Sequence, residues 1–256
     1  MALNTASLTA SLREIAHRAG TEILAVYGSD FTVLDKADAS PVTEADTRAE
    51  RVILNGLAAC APDLAVVAEE SVAAGHVPAL DSRPFFLVDP LDGTREFIGR
   101  NGEFTVNIAL VEDGSPTAAV VHLPALDETF WTAGDGVAWR ARGGDGPERI
   151  ACRRPGGDGL VVIASRSHRG AETDVYLERF EIADIVSAGS SLKFCRIAEG
   201  AADLYPRLGR TMEWDIAAGH AIVEAAGGSV ETIDGRRLVY GKPGFENPRF
   251  VVRGLP

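Results

Sequence analysis

A chain of 256 residues with 46% hydrophobic and 24% charged side chains is an ordinary globular composition, long enough for one large domain or two tightly packed halves. Its formal charge of −12 at pH 7 argues against bulk attraction to nucleic acid or anionic lipid, although clustered carboxylates can serve a metal ion, and a phosphate still binds where metals and local cations reverse the field. A mean hydropathy of +0.04, with no apolar run near the ~18–20 residues of a membrane span, argues against an integral segment.

The N-terminal Met1-Ala2-Leu3-Asn4 lacks the basic and apolar regions of a signal peptide. Cys60, Cys152 and Cys195 are scattered, so neither a disulfide framework nor a zinc site is expected. A reducing cytoplasm fits best, with peripheral association at the inner face of the membrane left open.

In chain order, Leu8, Leu12, Ile15, Ala19 and Ile23 recur at the spacing of an amphipathic helix over 8–24. A loop at Asp38-Ala39-Ser40-Pro41 precedes a second helix through Ala49, Ile53 and Leu57, for which Thr43 and Asp46 form a capping-box pattern. Strands are expected at 64–67, 85–88, 105–111, 118–122 and 128–132, with Asp113-Gly114 as a turn. The Gly-, Arg- and Pro-rich stretch 141–159 is expected to join an α+β half, 1–150, to an α/β half, 151–256. That second half is expected to hold strands at 160–164 and 182–186 and helices near 171–179, 191–199 and 216–226, the last stopped by Gly227-Gly228. Helices mixed with sheets in both halves imply a layered α/β architecture.

The chemistry concentrates where apolar segments meet acids. Phe86-Leu-Val-Asp89-Pro-Leu91-Asp92-Gly93-Thr94 is a strand running into a turn, which can bring both carboxylates into one cavity, with the Leu91 carbonyl between them as a third oxygen. Hard oxygen donors of this kind suit magnesium, and the amides of Gly93 and Thr94 at a helix start suit a phosphate oxygen. Leu64 to Ala68 runs into Glu69-Glu70-Ser71, and Trp214-Asp215 precedes an apolar helix that Asp215 could equally serve as N-cap. Burying several carboxylates together is costly unless cations join them.

These residues resemble the signatures of the inositol monophosphatase superfamily: Ala68-Glu69-Glu70-Ser71, then Asp89-Pro-Leu-Asp92-Gly-Thr94, then Trp214-Asp215-x-Ala-Ala-Gly-x-Ala-Ile with Ala226-Gly227-Gly228. Their order and approximate spacing match over nearly the whole chain. The resemblance implies a five-layered αβαβα sandwich and two or three Mg2+ ions held by Glu69, Asp89, the Leu91 carbonyl, Asp92 and Asp215. It implies that Thr94 helps to activate the attacking water, that Glu69 belongs to the catalytic set, and that Asp46 partners Thr94 or a third metal-bound water. Lys36 is a weaker carry-over, and lithium inhibition is implied. Two metals can clamp an in-line displacement without a covalent nucleophile. Asp89 and Asp92 have two residues between them rather than the one of D-x-D spacing, which argues against an aspartyl-nucleophile phosphatase.

The narrower resemblance is to the CysQ-type 3′(2′),5′-bisphosphate nucleotidases. It rests on Asp92-Gly-Thr-Arg95-Glu96-Phe97-Ile98 with Arg100-Asn101-Gly102-Glu103-Phe104-Thr105, on Ser165-Arg-Ser167-His168, and on Gly189-Ser190-Ser191-Leu192-Lys193-Phe-Cys with Asp203-Leu-Tyr205-Pro-Arg207. It implies adenosine 3′,5′-bisphosphate as the small-molecule substrate, with Gly93, Thr94, Ser190, Lys193, Arg207 and Asp215 contacting it and His168 near the nucleoside. Arg207 stands where the inositol monophosphatases carry an acid, and a guanidinium forks onto a second phosphate. Trp131 and Trp139 are expected in packing rather than base stacking, and Glu213 receives no role. An inositol or sugar phosphatase on the same scaffold, and a non-catalytic metal- or nucleotide-binding regulator, stay open as alternatives, as does the choice between monomer and homodimer.

Overall fold

The computed structural model describes residues 5–35, 41–81, 83–165 and 170–256. The first apolar stripe folds as α1 (Thr5–Tyr27), burying Leu8, Leu12, Ile15, Ala19 and Ile23 as its spacing predicts. β1 (Val33–Asp35) pairs antiparallel with β2 (Pro41–Thr43). Thr43 then caps α2 (Glu44–Cys60): its hydroxyl accepts from the Ala45 amide at 3.2 Å, while Asp46 Oδ2 accepts from the Thr43 amide at 2.8 Å.

Next come β3 (Ala65–Ala68), α3 (Glu69–Ala73), β4 (Phe85–Asp92), α4 (Thr94–Ile98), β5 (Thr105–Glu112), β6 (Ser115–Leu123), β7 (Glu128–Thr132), β8 (Ala138–Arg142) and β9 (Glu148–Ile150). The strands lie side by side in chain order as a seven-stranded sheet, antiparallel except for the β3–β4 pair. Asp113 (φ 50°) and Gly114 (φ 73°) make the β5–β6 hairpin turn, whose backbone needs positive φ at both positions.

The remaining chain supplies β10 (Leu160–Ser165), α5 (Ala171–Leu177), β11 (Ile182–Ala188), α6 (Leu192–Ala198), β12 (Leu204–Arg207), α7 (Glu213–Ala225), β13 (Ser229–Thr232) and β14 (Phe250–Arg253). Its five-stranded sheet runs β11-β10-β12-β14-β13, parallel around β10 and antiparallel at β14.

The burial pattern stacks these elements. Phe86 and Val88 of β4, Ile108 of β5 and Val120 of β6 pack with Leu12 and Ile23 of α1 and Ile53 and Leu57 of α2. Their neighbours Leu87, Ala109 and Val121 point the other way, into a core shared with Phe194 of α6, Ile222 of α7 and Phe250 and Val252 of the smaller sheet. Val162, Leu204 and Val251 on that sheet's far side meet Tyr176 and Leu177 of α5. The order is therefore helix, sheet, helix, sheet, helix, the expected αβαβα sandwich. Central strands covered on both faces read as continuous apolar runs, which made them visible in the sequence.

Two expectations change. The stretch 141–159 is only partly a connection, because β8 and β9 extend the first sheet through its Arg-rich portion and leave 151–159 as the crossing segment. Charged alternation hid these strands: Arg142 pairs with Glu128 at 2.6 Å, and Arg140 pairs with Glu148 across β8 and β9. The last long helix starts at Glu213 rather than 216, so Asp215 lies inside its first turn instead of capping it. Among the described residues no helix is long and apolar enough to cross a membrane.

Candidate active site

The site grows from an interruption in β4. Asp89 pairs with Asn107 and Asp92 with Thr105, and the register slips between them. Pro90 has no N–H to give the ladder, so an irregularity there loses little. The strand thus continues past Asp89, where its end was expected, and reaches Asp92. Asp89 Oδ1 accepts from the Leu91 amide at 3.0 Å and stabilises the bend.

Gly93 completes the turn with φ 90°, and a Cβ there would stand 3.2 Å from both the Glu103 carbonyl oxygen and Ser190 Cβ. Only glycine accepts that backbone and that crowding without strain. Thr94 opens α4, and its hydroxyl lies 3.3 Å from both Asp46 Oδ1 and the Leu91 carbonyl oxygen.

Two buried acids one turn apart on α2 hold this region. Asp46 reaches Thr43 and Thr94. Glu50 accepts from the Glu70 amide at 2.8 Å and from the Ser71 hydroxyl at 2.6 Å, fixing the start of α3, where Glu69 stands. At the other edge, Asp215 Oδ2 accepts from the Met212 amide at 2.8 Å.

These segments enclose a cavity of about 290 Å3. Glu69, Asp92 and Asp215 line it, with Gly93, Thr94, Ser190, Lys193 and Arg207. Asp46, Asp89 and Leu91 do not line it: Asp46 and Asp89 are buried at 1% and 2% exposure, and Asp46 connects to the cavity through Thr94. His168 and Lys36 lie outside the described residues, and Trp131 and Trp139 stack on each other at 6.4 Å, away from the cavity lining.

Burial raises Asp92 to about 6, with Lys193 opposing and Glu96 and Glu69 adding to the rise. Burial, and then the charges of Asp92 and Glu69, push Asp215 well above the usual carboxylate range. Burial likewise lowers Lys193 to about 8, against the pull of Asp92. Its Nζ donates to the Ser190 carbonyl at 2.6 Å.

Arg207 donates one N–H to the Arg210 carbonyl at 3.0 Å, while its buried Nε finds no acceptor among the described residues. The Ser190 hydroxyl is likewise buried without a partner among the described residues, on a residue with φ 43°. Both polar atoms belong to residues lining the cavity, where an anionic ligand could supply acceptors.

Among the described residues no group of three or more His, Cys, Asp or Glu side chains forms a ready-made metal cage. Part of the reason is visible, since Asp89, Asp92 and Asp215 each give an oxygen to a backbone N–H. The donor set nevertheless fits a hard cation: Glu69, Asp92 and Asp215 line one cavity, and burial penalises the charge of Asp92 and Asp215.

Sequence reasoning missed Glu50, Asn107, Ser191, Glu96 and Glu103 as site-building residues. Glu50 was reachable, because it follows Asp46 by four residues on a predicted helix. Glu103 accepts from the Gly189 amide at 2.8 Å across the two halves, a contact without local signature.

The inositol monophosphatase family model matches residues 4–250. The chain is 46% identical over 242 residues to the 3′(2′),5′-bisphosphate nucleotidase CysQ of Shigella flexneri, covering 93% of this chain and 96% of that protein. A crystal structure of CysQ from Bacteroides thetaiotaomicron superposes with a TM-score of 0.81 at 35% identity, covering 98% of each chain. An inositol monophosphatase from Zymomonas mobilis superposes with a TM-score of 0.80 at 26% identity over 99% of this chain and 95% of that one.

Proposed function

The chain belongs to the inositol monophosphatase family and is a phosphatase of it, and from that premise we propose that it is a 3′(2′),5′-bisphosphate nucleotidase that hydrolyses adenosine 3′,5′-bisphosphate to AMP and phosphate. The observation that carries the reading is that one cavity is lined both by carboxylates, Glu69, Asp92 and Asp215, and by the cations Lys193 and Arg207. A substrate with one phosphate to cleave and a second to hold needs both.

Enzymes of this family are generally metal-dependent, and we take the ion to be magnesium, held by Glu69, Asp89, the Leu91 carbonyl, Asp92 and Asp215. Bound there, it supplies the positive charge that neutralises phosphate oxygens and acidifies a water. The chain's own groups do the rest. Thr94 orients the attacking water, and Asp46, within 3.3 Å of the Thr94 hydroxyl, can hold the proton it gives up. The Gly93 and Thr94 amides at the start of α4 receive a phosphate oxygen. Lys193, Arg207 and the Ser190 hydroxyl hold the non-scissile phosphate, and His168 belongs near the nucleoside.

An inositol monophosphate has no second phosphate to satisfy Lys193 and Arg207, which is why it ranks below the nucleotide. The test is phosphate release from adenosine 3′,5′-bisphosphate, inositol-1-phosphate and fructose-1,6-bisphosphate, each with magnesium and with chelator, for the wild type and Arg207→Glu. The nucleotide should be preferred, chelator should abolish turnover, and Arg207→Glu should cost the nucleotide about 10–100-fold in kcat/KM while sparing the monophosphate. A wild-type preference for inositol or fructose phosphate would overturn the substrate assignment.

A further inference from the structure

Ser191 was not singled out by its chemistry in the sequence, yet it joins the two acidic edges of the cavity. It is 1% exposed, at the junction before α6. Its amide donates to Asp92 Oδ2 at 2.7 Å, and its hydroxyl donates to the backbone carbonyl of Asp215 at 2.6 Å. A serine hydroxyl has one proton, so with that proton on Asp215 it can only accept from its remaining neighbour.

The neighbour is Asn107 of β5, 1% exposed, whose Nδ2 donates to Ser191 Oγ at 3.0 Å and reaches Asp92 Oδ2 at 3.5 Å. Asn107 Oδ1 is buried without a hydrogen-bond partner among the described residues. The amide thus presents its donor side to the serine and the carboxylate. The end of β4, the start of β5 and the first turn of α7, the last more than 100 residues along the chain from the others, meet through one hydroxyl and one amide.

We propose that Ser191 is a positioning residue, oriented by Asn107, that sets the separation of Asp92 from the Asp215 turn and thereby tunes divalent-cation affinity. The inference rests on the metal-dependent reading above. Asp92 ends β4 and Asp215 lies in the first turn of α7, so no local chain geometry fixes the distance between them. Without the serine the two edges are free to separate, which relieves repulsion and spoils a shared cation site. Partners that orient ligands in this way typically contribute 10–100-fold to metal affinity.

The test is calorimetric titration of the chelator-stripped protein with Mg2+ alone, for the wild type, Ser191→Ala, Ser191→Thr, Asn107→Ala, the Ser191→Ala/Asn107→Ala double variant and Asp92→Asn, with the metal-free unfolding midpoint of each. Ser191→Ala should weaken Mg2+ by about 10-fold or more, Ser191→Thr should recover most of it, and the double variant should be no worse than Ser191→Ala alone. If Ser191→Ala and Asn107→Ala lower only the unfolding midpoint and bind Mg2+ within about 2-fold of the wild type, the proposal fails while the metal reading stands. If the wild type takes up no Mg2+, or Asp92→Asn binds as the wild type does, the metal reading itself fails and this inference with it. Should Ser191→Ala not fold, Asn107→Ala decides by the same criterion.

Discussion

Two clusters of buried carboxylates lie at opposite ends of α6. At its C-terminal end Glu128 and Glu199 are 6% and 7% exposed, and both are held by guanidinium groups: Arg196 lies 3.2 Å from Glu128 and 2.6 Å from Glu199, Arg142 lies 2.6 Å from Glu128, and Arg140 bonds Glu199. At its N-terminal end Asp92 and Asp215 line the cavity, and burial raises both, Asp215 further through the charge of Asp92. Burial is similar in kind, but the compensation differs. One cluster carries its own cations and closes the sheet edge against α6. The other is offset only in part by Lys193 and Arg207, since burial still raises both acids, and strongly perturbed acids in a cleft mark function more often than scaffolding.

The comparison predicts opposite phenotypes. The largest effect on stability should come from Arg196→Met, which strips one cation from both Glu128 and Glu199. Chemical denaturation should register a loss of about 2 kcal/mol, short of the 3–5 kcal/mol of a fully buried pair because Arg140 and Arg142 remain. Phosphate release by the folded fraction should be unchanged, and a selective loss of turnover would blur the distinction between the clusters.

A third polar cluster sharpens the contrast because it is kept neutral. His122 packs against His17 with ring centroids 4.2 Å apart, and its Nδ1 lies 3.0 Å from Thr129 Oγ1 and 3.1 Å from the Glu128 carbonyl oxygen. Burial, reinforced by His17, lowers His122 to about 3. The unfolded chain protonates near 6.5, so stability is complete above that pH and is lost as pH falls toward 3. The slope is about 1.4 kcal/mol per pH unit for one histidine. His122→Gln should flatten the acid limb of an unfolding-midpoint profile between pH 6 and 4, and an unaltered limb would remove His122 as its origin.

The sequence made the core legible where periodicity was strong. The stripe from Leu8 to Ile23, the Thr43–Asp46 cap and the continuous apolar strands all fold as read. The acidic motifs were legible because Asp89, Asp92 and Asp215 interrupt apolar segments. What stayed hidden was assembled over distance. β8 and β9 carry arginines that look like loop, and their partners Glu199 and Glu128 lie elsewhere in the chain. Ser191 and Asn107 have no local signature, since their meaning arises only when positions 84 residues apart come within 3.0 Å. Asp215 was also readable as a helix N-cap; it stands instead in the first turn, where it accepts the N–H of Met212, the residue at the cap, while lining the cavity.

The most direct test of the central claim is Asp92→Asn, with turnover and metal-free stability measured on the same preparation at pH 8. Asp92 is raised to about 6, so its folded-state stability is greatest below about 4 and falls as pH rises through 6, leaving the ionised group a net cost at pH 8. Asparagine keeps an oxygen for the Ser191 amide and removes the charge. Phosphate release from adenosine 3′,5′-bisphosphate should fall by at least about 100-fold while the unfolding midpoint holds or rises. A variant that keeps its turnover and loses stability would make the cavity acids structural and contradict the account.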